Sequence, residues 1–334
     1  MILPWLKFAV CAAIIVLSGR SVAKYGDVIA WRTGLGRVWI GTILVAMSTS
    51  LPELFTGISS VALVRVPDLT IGNLFGANAF NLLNLALLDI ASRHQPLFGM
   101  ASTGHLLVAG FSLILVSFAA AGILLKDSFL GYSLGWIGLS APIIVLIYLV
   151  AARGLFNFER RRRAPLDAEV MPRYEAIPLR RAYLYFSIAA AFVIGAGTWL
   201  AFVGRDIAQA TGWAESFVGS LFLAFSTTLP EITVSFFALR LGAYDICVGN
   251  MLGSNLFNMS IIAVDDLFYR PGPVLSSVST SHVFTALLVI LMTGIVIAGL
   301  MARPQHKPAL RATWYSLALI VVFLIGYYLN FSLG

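Results

Sequence analysis

Long apolar runs alternate along the chain with short polar breaks, and each run is long enough to cross a bilayer. A hydrocarbon core about 30 Å thick needs roughly 20 apolar residues per helix. Ten runs qualify, at about 2–30, 37–64, 70–91, 102–125, 130–152, 181–204, 214–240, 246–268, 279–302 and 312–332. The pattern predicts an all-α polytopic membrane protein of ten transmembrane helices. Its one substantial polar stretch divides it into a first five-helix unit (1–152), a linker (153–180) and a second five-helix unit (181–334).

Composition agrees. The 334 residues are 59% hydrophobic and 11% charged, against about 25% charged in soluble domains. A net charge of +7 would suit a nucleic-acid binder, but its distribution points to topology instead. The stretch from Arg153 to Arg181 carries Arg153, Arg160, Arg161, Arg162, Arg163, Arg173, Arg180 and Arg181 against four acids. Placing it in the cytoplasm puts 17 of the 22 Lys and Arg residues on that side, as the positive-inside rule requires. Both termini then lie outside. Five spans per half insert the second half upside down, the inverted repeat of many secondary transporters, whose substrate site sits at the midplane between halves.

Letters repeat as well as topology. Gly41 to Glu53 pairs with Gly219 to Glu231, with seven of thirteen positions identical. Ile71 to Asn81 pairs with Val248 to Asn258, with six of eleven identical. Residues 2–19, with Lys7 and Ser21-Val22-Ala23, have the look of a cleavable leader. They nevertheless join the repeat, since Ala12-Ala13, Gly26 and Thr33-Gly34 match Ala190-Ala191, Gly204 and Thr211-Gly212. The segment is therefore expected to be a retained span.

The first motif carries the chemistry. Ser48-Thr49-Ser50-Leu51-Pro52-Glu53 and Ser226-Thr227-Thr228-Leu229-Pro230-Glu231 lie inside apolar runs. A carboxylate at such depth costs about 2.5–3.5 kcal/mol on insertion scales. Each proline has no N–H for the carbonyl four residues earlier and crowds it. Freed carbonyls are tolerated at membrane depth only where they line a cavity. Thr49 and Glu53, like Thr227 and Glu231, share one helix face. Carboxylates, hydroxyls and carbonyls without sulfur or imidazole suit a hard cation. In the second motif Asn73, Ala77 and Asn81 form one stripe, and Asn250, Ser254 and Asn258 another. Their amides are placed either to complete coordination or to hydrogen-bond the carboxylates, while Gly72, Gly76, Gly249 and Gly253 allow close helix approach.

The remaining polar residues read as structural. Asp89, Asp265 and Asp266 are expected near the interface as caps or solvated charges. His94, His105, His282 and His306 show no ligand spacing, and His105 and His282 read as helix packing. Cys11 and Cys247 lie far apart in apolar context and read as small buried hydrophobes, not a disulfide framework.

At the paired motifs the sequence resembles the cation/calcium antiporter superfamily, and its sodium/calcium exchangers more than its proton/calcium branch. The resemblance implies alternating access, with the first and sixth helices sliding past a core bundle. It also implies calcium held by Glu53, Glu231, Thr49 and Thr227. Sodium would use Ser50, Thr228 and Ser254 with the backbone carbonyls of Ala46 and Ala224. Three positions depart from the family pattern. Ser48 and Ser226 replace glycine, Ala77 stands where a serine is expected, and Asn258 stands where aspartate is frequent.

The reading is thus a calcium/sodium antiporter, not an enzyme, of a prokaryotic inner membrane. It needs no cofactor, nucleic acid or obligate protein partner; its partners are Ca2+ and Na+ as substrates and the lipid bilayer. The alternatives keep the fold with proton or potassium coupling or another divalent ion, or make the paired Glu a channel filter. An intramembrane hydrolase is disfavoured by the lack of a Ser/His pairing or Gly-x-Gly-Asp motif.

Overall fold

The computed structural model describes residues 2–33, 45–92, 95–161, 177–240, 242–307 and 312–333. The helices are α1 (Ile2–Thr33), α2 (Ala46–Thr49, Leu51–Ser59 and a wide π turn, Ser60–Val64), α3 (Pro67–Ala91), α4 (Gly104–Leu124) and α5 (Ser140–Arg161). The second half repeats them. It comprises α6 (Leu179–Thr211), α7 (Glu215–Val218, a π turn at Gly219–Leu223, Ala224–Thr227 and Leu229–Arg240), α8 (Tyr244–Phe268), α9 (His282–Ala302) and α10 (Trp314–Leu333).

Among the described residues eight helices are long and apolar enough to span a membrane, and the bent α7 makes a ninth span. The tenth, α2, is described from Val45. The start of its expected run (37–44, with Gly41), Gly34, His94 and linker residues 162–176 lie outside the described residues.

α3 and α8 are almost wholly buried and cross at the centre, while α1 and α5 expose most of their surface. α4 and α5 pack on α8, and α9 and α10 pack on α3, as an inverted repeat demands. α1 and α6 run along one another over α2 and α7. Gly72 and Gly76 let α3 touch the α7 backbone, since a Cβ on either would strike Ser216 or Ser220 main-chain atoms. The π turn in α7 has a main-chain oxygen to share, and Tyr327 donates its hydroxyl to Ser220 O at 2.7 Å. Cys11 and Cys247 are buried free thiols.

Polar ties between the halves come in mirror pairs. Asn78 Nδ2 donates to Asn255 O and Asn255 Nδ2 to Asn78 O, each at 3.2 Å. His282 Nε2 lies 2.9 Å from Asp68 Oδ1, and His105 Nε2 lies 3.0 Å from Asp245 Oδ1. Each pair links one half to the other near opposite ends of the bundle. The histidines therefore tie helix ends together, as packing residues should.

Two expectations change. The acids expected near the interface are inside, with Asp89 and Asp265 at 0% and Asp266 at 2% exposure. Asp89 accepts from Leu97 N, Thr313, Tyr315 and Ser316, and Lys307 Nζ reaches its main-chain oxygen. Asp266 accepts from Val274 N and Gly138 N. These caps fold the loops back over the helix ends, which is why no water reaches them. The fifth helix also starts later than the run at 130–152 suggests. Residues 133–138 form a two-stranded ribbon, Ser133 opposite Gly138, turning at Gly135 with φ 69°. Trp136 Nε1 bonds Leu267 O, and the Arg270 guanidinium lies 3.9 Å from the indole centroid. That apolar stretch therefore lies over the end of α8 instead of spanning.

Two stability predictions arise here. Gly76→Val should lower the unfolding midpoint in detergent by the equivalent of about 1–3 kcal/mol. Gly110→Val, where an added Cβ meets nothing within 4 Å, should leave it nearly unchanged. Asn78→Ala and Asn255→Ala should each destabilise by about 1–3 kcal/mol, and the double variant by less than their sum because they share one network. Denaturant titration followed by tryptophan fluorescence measures both.

Candidate functional site

Each proline-containing helix is broken where the missing N–H predicts. α2 is interrupted at Ser50 (φ −87°, ψ 14°) and α7 at Thr228 (φ −81°, ψ −2°). The two segments of α7 meet at 42°. Glu53 and Glu231 consequently occupy the first turns of Leu51–Ser59 and Leu229–Arg240. The positive end of each helix dipole faces its carboxylate, a partial return on the burial of charge.

Every candidate residue of the first motif is buried, with Thr49, Ser50, Glu53, Thr227, Thr228 and Glu231 all at 0% exposure. The hydroxyls knit the halves together. Thr49 Oγ1 donates to Asn250 Oδ1 at 3.2 Å, and Thr227 Oγ1 donates to Asn73 Oδ1 at 3.1 Å. Each also lies within reach of a carbonyl of its own helix, Ala46 O at 3.1 Å and Ala224 O at 3.3 Å. Asn250 Nδ2 is held by Ser235 Oγ at 3.1 Å and Glu231 O at 3.3 Å. Asn73 and Asn250 thus stand behind the threonines. Asn81 Nδ2 donates to Asn255 Oδ1 and Asn258 Nδ2 to Asn78 Oδ1, at 3.0 and 3.1 Å.

With those bonds assigned, five buried side-chain oxygens of the candidate residues are left without a hydrogen-bond partner among the described residues. They are Glu53 Oε1 and Oε2, Glu231 Oε2, Asn81 Oδ1 and Asn258 Oδ1. Buried acceptors this numerous need a donor or a cation, because an unmet polar group costs about 1–3 kcal/mol and a charged one more. Among the described residues no Lys, Arg or His pairs with either glutamate. The donor set is all oxygen, which suits a hard cation.

The site is not symmetric. Glu231 Oε1 accepts from Ser50 Oγ at 2.9 Å and Ser254 Oγ at 3.4 Å. Glu53 has neither bond. The repeat mate of Ser50 is Thr228, whose hydroxyl turns to Ala224 O at 2.8 Å, and the mate of Ser254 is Ala77. Two substitutions therefore leave Glu53 without the two hydroxyl donors that Glu231 has.

Asn78, Asn255 and Ser235 belong to this network although their roles were not anticipated. The asparagines had a signal, since they are identical between the repeats. Ser235 had none, because its mate is Gly57.

Comparison with known proteins identifies the family and the fold. The profile of the family described as sodium/calcium exchanger protein matches residues 3–152 and 181–332. Inner membrane protein YrbG of Escherichia coli (strain K12) is 26% identical over 314 residues, covering 92% of this chain and 91% of the relative. Putative antiporter CaxA of Alkalimonas amylolytica is 23% identical over 273 residues, covering 80% and 81%. Among solved structures, the H+/Ca2+ exchanger CAX superposes with a TM-score of 0.74 at 11% identity, covering 99% of this chain and 85% of that one. The sodium-calcium exchanger NCX_Mj superposes with a TM-score of 0.63 at 19% identity, covering 98% and 99%. Structures so distant in sequence establish the fold. With the family profile spanning nearly the whole chain, this multi-pass membrane protein belongs to the sodium/calcium exchanger family.

Proposed function

We propose that the protein is a secondary active antiporter that exchanges Ca2+ for Na+ by alternating access. The observation that carries this reading is the set of five buried oxygens on Glu53, Glu231, Asn81 and Asn258 that have no partner among the described residues. Two carboxylates carry −2, which Ca2+ neutralises as a single ion. Oxygens from Asn81 and Asn258, and hydroxyls from Thr49 and Thr227, complete the six to eight ligands Ca2+ takes. Na+ draws on the same carboxylates with Ser50, Thr228, Ser254 and the carbonyls of Ala46 and Ala224. The two kinds of ion therefore cannot occupy the site together.

That exclusion is the mechanism of exchange. An empty site leaves two like charges buried at close quarters, and removing charge from water without a partner costs several kcal/mol per ion. The empty protein is thereby discouraged from passing between outward-open and inward-open states. Loading with either ion type removes the repulsion and permits the passage. α1 and α6, which lie along one another outside the core, are the natural sliding elements.

On this reading the protein is a transporter and not an enzyme, with Ca2+ and Na+ as substrates and no resident cofactor. The basic linker faces the cytoplasm of a prokaryotic cell, and both termini face outward. Proton or potassium coupling is the competing reading, favoured by the hydroxyl absent at Ala77 and the neutral Asn258.

Liposomes reconstituted with the protein should take up Ca2+ against an outward Na+ gradient, and matched H+ or K+ gradients should not replace it. Glu53→Gln should reduce uptake at least tenfold, about 1.4 kcal/mol in the loaded site. Uptake driven by protons alone would transfer the assignment to the competing reading. Separately, Ca2+ at about 100 times its dissociation constant should stabilise the detergent-purified protein by about 2.7 kcal/mol. Glu53→Gln/Glu231→Gln should abolish that stabilisation in a thermal-unfolding assay.

A further inference from the structure

One buried carboxylate neither caps a loop nor enters the exchange mechanism. Asp265 on α8 is 0% exposed. Its Oδ2 accepts one hydrogen bond, from Thr70 Oγ1 of α3 at 2.6 Å. Its Oδ1 has no hydrogen-bond partner among the described residues. The carboxyl sits over Gly57 of α2, where an added Cβ would lie 2.7 Å from Oδ2, 2.9 Å from Oδ1 and 2.8 Å from Thr70 Oγ1. Three helices thus close around one acid, and the absence of a side chain at Gly57 makes the room.

The repeat shows that this arrangement exists in one half only. The positions that mirror Gly57, Thr70 and Asp265 are Ser235, Cys247 and Leu88. There the serine fills the notch and donates to Cys247 O at 3.2 Å, and Leu88 is a buried apolar side chain. A general need of the fold would appear in both halves.

Its position relates it to the central site. Asp265 is two helical turns beyond Asn258 on the same face of α8, about 10 Å along the axis. Gly57 is one turn beyond Glu53 on α2, and Thr70 is one turn before Asn73 on α3. All three displacements run toward the membrane surface that carries the Arg65 turn and the loop from Tyr269 to Ser281. Asp265 therefore lies between the central carboxylates and that surface.

The available oxygens decide the ligand class. Two carboxyl oxygens and one hydroxyl fall well short of the six to eight that Ca2+ takes, whereas a proton needs one. On the elements packed against α8, the other charged or titratable groups are largely engaged elsewhere. Asp68 is held by His282, His105 by Asp245, Asp89 by Tyr315 and Ser316, and Glu231 by Ser50 and Ser254. Arg153 and Arg240 lie over Phe156 and Phe236, Tyr148 packs against Phe257, and Arg65 caps α2. Glu53 and the adjacent Asp266 are acids and supply no positive charge. None of these groups forms an ion pair with Asp265 among the described residues.

We propose that Asp265, hydrogen-bonded to Thr70 over Gly57, is a proton-binding site that loads and unloads toward one membrane surface as the exchanger cycles. Loading forms an O–H bond at Oδ1 from a hydronium ion in the water of that side and leaves a neutral acid. Unloading returns the proton to water and no electrons move. The transport consequence rests on the antiport reading above, whereas the proton site itself does not.

The test is infrared spectroscopy of the purified protein over a range of pH, paired with liposome exchange. A carboxylic-acid C=O band that titrates with pH should be present in the wild type, absent in Asp265→Asn and retained in Glu53→Gln. Thr70→Val, which keeps the acid, should shift that band to higher frequency, so the assignment survives if Asp265→Asn does not fold. In liposomes, acidifying the Arg65 side should change the exchange rate several-fold in the wild type, and Asp265→Asn should remove that response. A band unaltered by both variants, a band that does not titrate, or an unchanged one-sided pH response in Asp265→Asn would overturn the proposal. If the wild type moves no cation, the antiport reading fails and the infrared result still decides the proton site.

Discussion

Two carboxylates share one buried site with no positive side chain among the described residues to meet them, and much of the architecture follows from that burden. Glu53 and Glu231 are held in the first turns of half-helices, where the dipole offsets part of the desolvation. Those half-helices exist because Pro52 and Pro230 break α2 and α7 at Ser50 and Thr228. The breaks can persist at membrane depth only because α3 and α8 cover them, and the contact of α3 with α7 depends on Gly72 and Gly76. The threonines and asparagines then fix the opposing helices to one another. Relieve the charge by substitution and the breaks, the glycine contacts and the asparagine pairs lose their common purpose.

Much of this was legible in the letters. Repetition of Ser-Thr-x-Leu-Pro-Glu and of Gly-Asn-x-x-Gly-x-Asn across the halves marks the site, because lipid-facing helices have no reason to keep polar residues in register. Apolar run lengths give the spans, except where Gly131, Gly135 and Gly138 let an apolar stretch double back as a ribbon. Depth was less legible than identity. Asp89 and Asp266 fall at helix ends, where water is the default neighbour, yet loops that return eight residues later, at Leu97 and Val274, cover them. Periodicity along one helix carries no record of which distant loop will fold onto it.

Pairings across the bundle were hidden for a similar reason. Asp68 with His282 and Asp245 with His105 are separated by more than a hundred residues in the chain, so each looks like an isolated polar group. Once the inverted repeat is imposed, the two pairs become one interaction seen twice. The same operation explains the asparagine pair at Asn78 and Asn255. Symmetry is thus a source of contacts that composition and spacing cannot supply.

Where the symmetry fails, the two carboxylates become different. Ser50 and Ser254 give hydroxyls to Glu231, while Thr228 turns away from Glu53 and Ala77 has nothing to give. A hydroxyl donor stabilises a carboxylate that lacks a cation, so Glu231 tolerates an empty site better than Glu53 does. On the proposed reading, cations leaving stepwise should then be held longest by Glu53. Asp265 extends the same bias, since its notch at Gly57 lies one turn beyond Glu53 and not beyond Glu231. An inverted repeat with identical halves would present the same energetics to either side of the membrane. The departures at Gly57, Thr70, Ala77, Thr228 and Asp265 break that equivalence at positions on or next to the proposed ion site, and so would give the two directions of exchange different physics.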